Sequence, residues 1–195
     1  MNPMSDVRSR RLVVVAHCLL NQNAKVAGVA SHPGVFAPLV PLLLDAGVGV
    51  IQMPCPEMAH LGPSRPLGSD TVEQYDTPGY REVCLTIART TVSGIAAYHQ
   101  AGYEVMCVLG VEGSPSCSVS RVPRLAPGGE ARLERGTGLF MGALAEEMAA
   151  VGLEIPCVGV PEAEQAGDLR SALVAIENLL QGPSQGARTE PVARS

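Results

Sequence analysis

Four short runs of branched aliphatic residues constrain this chain more than any other feature. They are Leu12 to His17, Val48 to Met53, Glu104 to Leu109 and Ile155 to Val160. None alternates apolar with polar residues, as a half-exposed strand would. Continuous apolar runs of this length belong to strands covered on both faces, as in a parallel sheet. Helical stretches fall between them. Phe36 to Ala46 is apolar and stops at Gly47, a residue suited to ending a helix. The next begins with Thr77 as N-cap and Pro78 at the first helical position, and Gly102 follows its last turn. Gly138 to Val151 and Asp168 to Leu180 complete the set. Strand and helix thus alternate four times, which predicts an α/β domain with a mostly parallel, Rossmann-like sheet and right-handed crossovers.

A length of 195 residues suits one domain. Residues 1–182 are assigned to it. Residues 183–195 are polar and patternless, and read as a disordered tail. Two connections are long: Pro54 to Asp76, rich in Pro and Gly, and Ser118 to Thr137, which holds four arginines. Loops of that length in a compact domain are usually functional or disordered.

Composition narrows the function. Net charge is -5, Lys25 is the sole lysine, and there is no Trp. Neither a basic footprint nor a set of aromatic stacking platforms is present, which argues against a nucleic-acid partner. The apolar run Val35 to Met53 is broken by Pro38, Pro41, Asp45 and Gly47, so no membrane segment is expected. The stretch Leu12 to Leu20 is too short for a signal peptide and lacks a small-residue cleavage site. A cytoplasmic protein is expected, and there six cysteines stay reduced. The sequence leaves the oligomeric state open.

In open parallel sheets, ligands bind beyond the carboxyl ends of the strands. After the first strand comes His17-Cys18-Leu19-Leu20-Asn21. After the second comes Pro54-Cys55-Pro56-Glu57. After the third comes Gly110 to Cys117. Each of these three exits carries a cysteine, so Cys18, Cys55 and Cys117 should converge at one rim. Cys84, Cys107 and Cys157 fall within a helix and two strands instead, and read as small buried hydrophobes. Three thiolates with no evident fourth ligand fit zinc only loosely. An iron–sulfur cluster is the stronger candidate for all-thiolate ligation. On three cysteines, a [4Fe–4S] cluster would leave one iron open as a Lewis acid.

Taken together, Cys18-Leu19-Leu20-Asn21, Pro54-Cys55-Pro56-Glu57 and Gly113-Ser114-Pro115-Ser116-Cys117 resemble the thiouracil desulfidase family, in a branch with the longer Gly-Ser-Pro-Ser-Cys element. The similarity runs from about Leu12 to about Val160. It implies a [4Fe–4S] cluster on Cys18, Cys55 and Cys117. It also implies removal of sulfur from a small thiocarbonyl compound as hydrosulfide, with water supplying the oxygen. A glutamate and a serine would assist, mapping to Glu57 and Ser114. This chain departs from the family at Asn21-Gln22-Asn23 and at Ser118, which puts thiouracil itself in question as the substrate.

Read from the residues, Glu57 suits an acid–base role because a partly dehydrated carboxylate beside a metal site titrates higher. Glu112, five residues before Cys117, competes with it and is also assigned to substrate contact. Asn21 can orient substrate amides, and Arg65 can neutralise an anionic substrate. The rival to a desulfidase is an iron–sulfur or zinc module that senses metal or redox state without catalysis.

Overall fold

The computed structural model describes residues 6–182, and the tail read at 183–195 lies outside them. In chain order the elements are β1 (Arg11–Ala16), α1 (His17–Leu20), a 3-10 turn (Gln22–Ala24), α2 (Val40–Asp45) and β2 (Gly49–Met53). They continue as α3 (Pro56–Leu61), α4 (Val72–Tyr75), α5 (Pro78–Gln100) and β3 (Glu104–Glu112). Then follow β4 (Arg121–Leu125), β5 (Ala131–Arg135), α6 (Leu139–Ala150), β6 (Cys157–Pro161), a 3-10 turn (Glu164–Ala166) and α7 (Leu169–Gln181).

The four apolar runs form one parallel sheet in the order β2-β1-β3-β6. Val13, Val14 and Val15 are all buried, as are Cys107, Val108 and Leu109. Successive side chains of a strand point to opposite faces, so both faces of β1 and β3 are covered, as their unbroken apolarity requires. The chain steps from β1 to β2 on one side and then crosses to β3 on the other. The switch point of the sheet therefore lies between β1 and β3, where ligands of such folds bind.

The caps follow the sequence. Thr77 accepts a hydrogen bond from Tyr80 N at 3.3 Å, and Asp168 accepts from Arg170 N and Ser171 N at 3.1 and 3.3 Å. Several boundaries and connections differ from expectation. The helix read at Phe36 to Ala46 shortens to α2, because Pro38 and Pro41 have no backbone N–H to give an upstream carbonyl. The third strand runs on through Glu112, which is therefore a strand residue. The connection Ser118 to Thr137 is an antiparallel hairpin, β4 with β5, and Pro54 to Asp76 contains α3 and α4. Arg121 faces Arg135 and Arg124 faces Arg132 across the hairpin, a pairing that reads as loop in a search for apolar strands.

Candidate metal and catalytic site

The three strand exits build the site. Cys18 lies in α1, directly after β1. Cys55 is the N-cap of α3, where its Sγ accepts from Met58 N at 3.4 Å and Pro56 opens the helix. Cys117 closes the turn after β3, and its carbonyl accepts from Val111 N at 2.9 Å. That turn is gripped between two glycines. A Cβ at Gly110 would collide with the Cys117 carbonyl oxygen, and one at Gly138 with the Ser116 carbonyl oxygen. The first amides of α6 hold the turn from the same side, Leu139 N on Pro115 O and Phe140 N on Ser116 O, both at 3.0 Å.

Cys18, Cys55 and Cys117 line one pocket of about 510 Å³, together with Glu57, Arg65, Glu112 and Ser114. Burial pushes the Cys18 thiol up to about 12, and raises Cys55 and Cys117 as well. Cys18 and Cys55 each add to the rise at Cys117, so the three sulfurs are electrostatic neighbours. Thiols held in this way ionise only against a strong local positive charge, which bound metal supplies. Among the described residues, no three His, Cys, Asp or Glu side chains stand close enough to hold a single metal ion. The all-thiol donor set suits iron–sulfur ligation, in which each thiolate takes a separate iron.

The two glutamates differ in what surrounds them. Glu112 accepts from Ser120 N, from Ser120 Oγ at 2.9 Å and from Arg121 N at 2.8 Å. Its side chain fills the space that a Cβ on Gly159 would need. It anchors the start of the hairpin. Glu57 is 8% exposed, accepts from Ser116 Oγ at 2.7 Å and pairs with Arg65 Nη2 at 3.0 Å. Arg65, 5% exposed, also donates to the Ala24 carbonyl at 2.9 Å. Its guanidinium is thus committed to Glu57 and to backbone.

Ser114 Oγ accepts from Ser116 N and Cys117 N at 3.2 and 3.0 Å, so the hydroxyl shapes the cysteine turn while facing the pocket. Asn21 is not brought to the pocket wall. Its side chain caps the 3-10 turn that follows it, accepting from Asn23 N at 3.1 Å. Cys84 and Cys107 are buried in the core, and Cys157 packs against it.

Several residues escape the sequence reading. Ser116, fully buried, joins Glu57 to the Tyr80 hydroxyl, which lies 2.5 Å from Ser116 Oγ. Because a carboxylate only accepts, Ser116 donates to Glu57 and Tyr80 donates to Ser116. Burial raises Tyr80, so it holds its proton. Gln22, 1% exposed, donates to the Cys18 carbonyl and to Glu162 Oε1 at 2.9 and 2.5 Å, and Glu162 also pairs with Lys25. Asp70 lines the same pocket. The Ser116 in Ser-Pro-Ser-Cys was a readable signal for one of these. Nothing local marks the others.

No family model matches the chain. It is 34% identical over 113 residues to the uncharacterized protein MJ0003 of Methanocaldococcus jannaschii, a match covering 58% of this chain and 70% of the archaeal one. The chain belongs to that protein's family. Among solved structures, it is similar to the [4Fe-4S]-dependent thiouracil desulfidase TudS, over 85% of this chain and 97% of that one, at 19% identity and a TM-score of 0.48.

Proposed function

We propose that the chain is a [4Fe–4S]-dependent desulfidase that removes sulfur from a small thiocarbonyl compound, a thiolated nucleobase or thioamide. The observation that carries this reading is the convergence of Cys18, Cys55 and Cys117, from three separate strand ends, on a pocket that also presents Glu57 and Ser114. A cluster on those three thiolates would supply one iron without a protein ligand, a Lewis acid for the substrate's sulfur. Six free cysteines suit a reducing cytoplasm, and no helix among the described residues is long and apolar enough to cross a membrane.

The rest of the chemistry falls to the chain. Glu57 takes a proton from the water that adds to the thiocarbonyl carbon. Ser116 and Arg65 hold its two oxygens in place, which fixes the direction of the transfer. Ser114 keeps the Cys117 turn in register and presents its hydroxyl hydrogen to the substrate. Glu112, engaged by the hairpin backbone, is a structural carboxylate. Substrate orientation falls to the pocket wall and not to Asn21.

The test is sulfide release. After anaerobic iron–sulfur reconstitution, the wild type should convert thiouracil or a thioamide to the oxo compound with one hydrosulfide per turnover. Glu57→Gln should slow the reaction by about 10²-fold or more, as loss of an acid–base group does. Cluster binding with no sulfide from any thiolated compound would favour the sensing module instead.

A further inference from the structure

Four carboxylates line the cysteine pocket: Glu57, Asp70, Glu112 and Glu162. Three are engaged. Glu57 is held by Ser116 and Arg65, Glu112 by Ser120 and Arg121, and Glu162 by Lys25 and Gln22. The Asp70 carboxylate forms neither an ion pair nor a hydrogen bond shorter than 3.5 Å with the other described residues.

Its backbone is set with care. Asp70 has φ 48°, one of two non-glycine residues with positive φ among those described. Such a conformation persists only where surrounding structure enforces it, and aspartate tolerates it better than most. Gln74 is the enforcer. Its Oε1 accepts from Asp70 N at 2.8 Å and from Ser69 Oγ at 3.2 Å. Gly68, at φ 58°, leaves the space that the Gln74 amide occupies. The turn is built around one side chain, and it delivers Asp70 to the pocket.

The neighbours of Asp70 are Glu57 from α3, Arg65 from the loop after it, Lys25 from the turn after α1, and Tyr75 from α4. The Tyr75 hydroxyl is buried without a hydrogen-bond partner, as is Arg65 Nε. Burial and the charge of Glu57 push Asp70 up to about 6, against the pull of Arg65 and Lys25. A carboxyl in the pocket that keeps its proton to higher pH than an ordinary carboxylate is suited to donate it.

We infer that Asp70 is the general acid of the site, the group that protonates the departing sulfur while Glu57 takes the proton of the attacking water. This rests on the desulfidase reading. Water oxygen adds to the thiocarbonyl carbon, the C=S π pair moves to sulfur, and Glu57 takes one water proton. The C–S bond then breaks with its electron pair leaving on sulfur, and Asp70 gives sulfur a proton. As the carbonyl forms, the hydroxyl on carbon returns a proton to Asp70, and Glu57 sheds its own to solvent. Thiocarbonyl and water become carbonyl, hydrosulfide and one proton.

The test uses the full chain with thiouracil and thioacetamide as probes. Asp70→Asn should fold, by circular dichroism, and take up the same iron as wild type. Its KM should be unchanged and its kcat lower by about 10²-fold or more. Wild-type kcat should fall as pH rises through about 6, where Asp70 loses its proton. That limb should vanish in Asp70→Asn and be partly restored in Asp70→Glu. A readout without activity is carbon NMR of aspartate-labelled, metal-free protein, in which one carboxyl titrating near 6 should be missing from Asp70→Asn. An active wild type whose rate and pH profile survive Asp70→Asn would overturn the acid role alone. A reconstituted wild type that releases no sulfide would overturn the desulfidase reading and the acid role together.

Discussion

Replacing Arg65 by Met removes a buried guanidinium from three acceptors: Glu57 Oε2 at 3.0 Å, the Ala24 carbonyl at 2.9 Å and the Gly62 carbonyl at 3.4 Å. Methionine fills much of the volume, so the cost is electrostatic. The Glu57 side chain is 11% exposed and that of Arg65 is 2% exposed. Breaking a buried pair from one side leaves an uncompensated charge, at a cost of about 3–5 kcal/mol. Glu57→Gln is milder. The amide oxygen still accepts from Ser116, and Arg65 keeps its two carbonyls, so the loss should be about 1–2 kcal/mol. In Glu57→Gln/Arg65→Met no charge is stranded, and the double variant should recover about 2 kcal/mol relative to the sum of the singles. Urea unfolding of the metal-free chain at pH 7, with reductant present, measures all four corners of the cycle. Arg65→Met should also lower Tm by roughly 10 °C, at about 2–4 °C per kcal/mol for a domain of this size. An Arg65→Met cost within about 1 kcal/mol of wild type, or one no larger than that of Glu57→Gln, would refute a buried pair at this position.

Asp70 sets a second expectation. Its pKa is pushed up to about 6 in the fold and is about 3.9 in the unfolded chain. Between these values the folded chain binds the extra proton, so this group's contribution falls as pH rises from about 4 to about 6 and stays low above. A rise of that size corresponds to at most about 3 kcal/mol, and partial exposure reduces it. Asp70→Asn should therefore gain about 1–3 kcal/mol over wild type at pH 7.5 relative to pH 4; denaturant unfolding at both pH values checks this, and an equal difference at both would contradict it. Gly138→Ala should press the 113–118 turn away from α6, costing about 1–3 kcal/mol by overpacking and lowering iron retention after reconstitution. A variant with wild-type stability and iron content would remove the grip assigned to Gly138.

The parallel sheet was legible because it is buried on both faces, and burial writes itself into β1 and β3 as unbroken valine and leucine. The hairpin was not, because Arg121, Arg124, Arg132 and Arg135 keep its exposed strands polar. The convergence of Cys18, Cys55 and Cys117 on one pocket could be read from the rule that ligands bind beyond strand ends. How Glu57 and Glu112 are engaged could not, since both stand near a cysteine in sequence. They differ only in long-range partners: Ser116 and Arg65 for one, Ser120 and Arg121 for the other. Asn21 looked like a substrate contact because asparagine amides recognise amides, but the short turn after it takes up the side chain first. Asp70 gave no sequence signal at all. Its position depends on Gln74 and a positive φ, neither of which has a local signature.

Anaerobic reconstitution followed by iron and sulfide analysis tests the central claim most directly. Wild-type chain should bind about four irons, with the absorbance of a [4Fe–4S] cluster. Cys18→Ala, Cys55→Ala and Cys117→Ala should each lose most of that iron, while Cys84→Ala, Cys107→Ala and Cys157→Ala keep it. Full cluster retention in the combined Cys18→Ala/Cys55→Ala/Cys117→Ala variant, or a colourless wild type, would contradict the account.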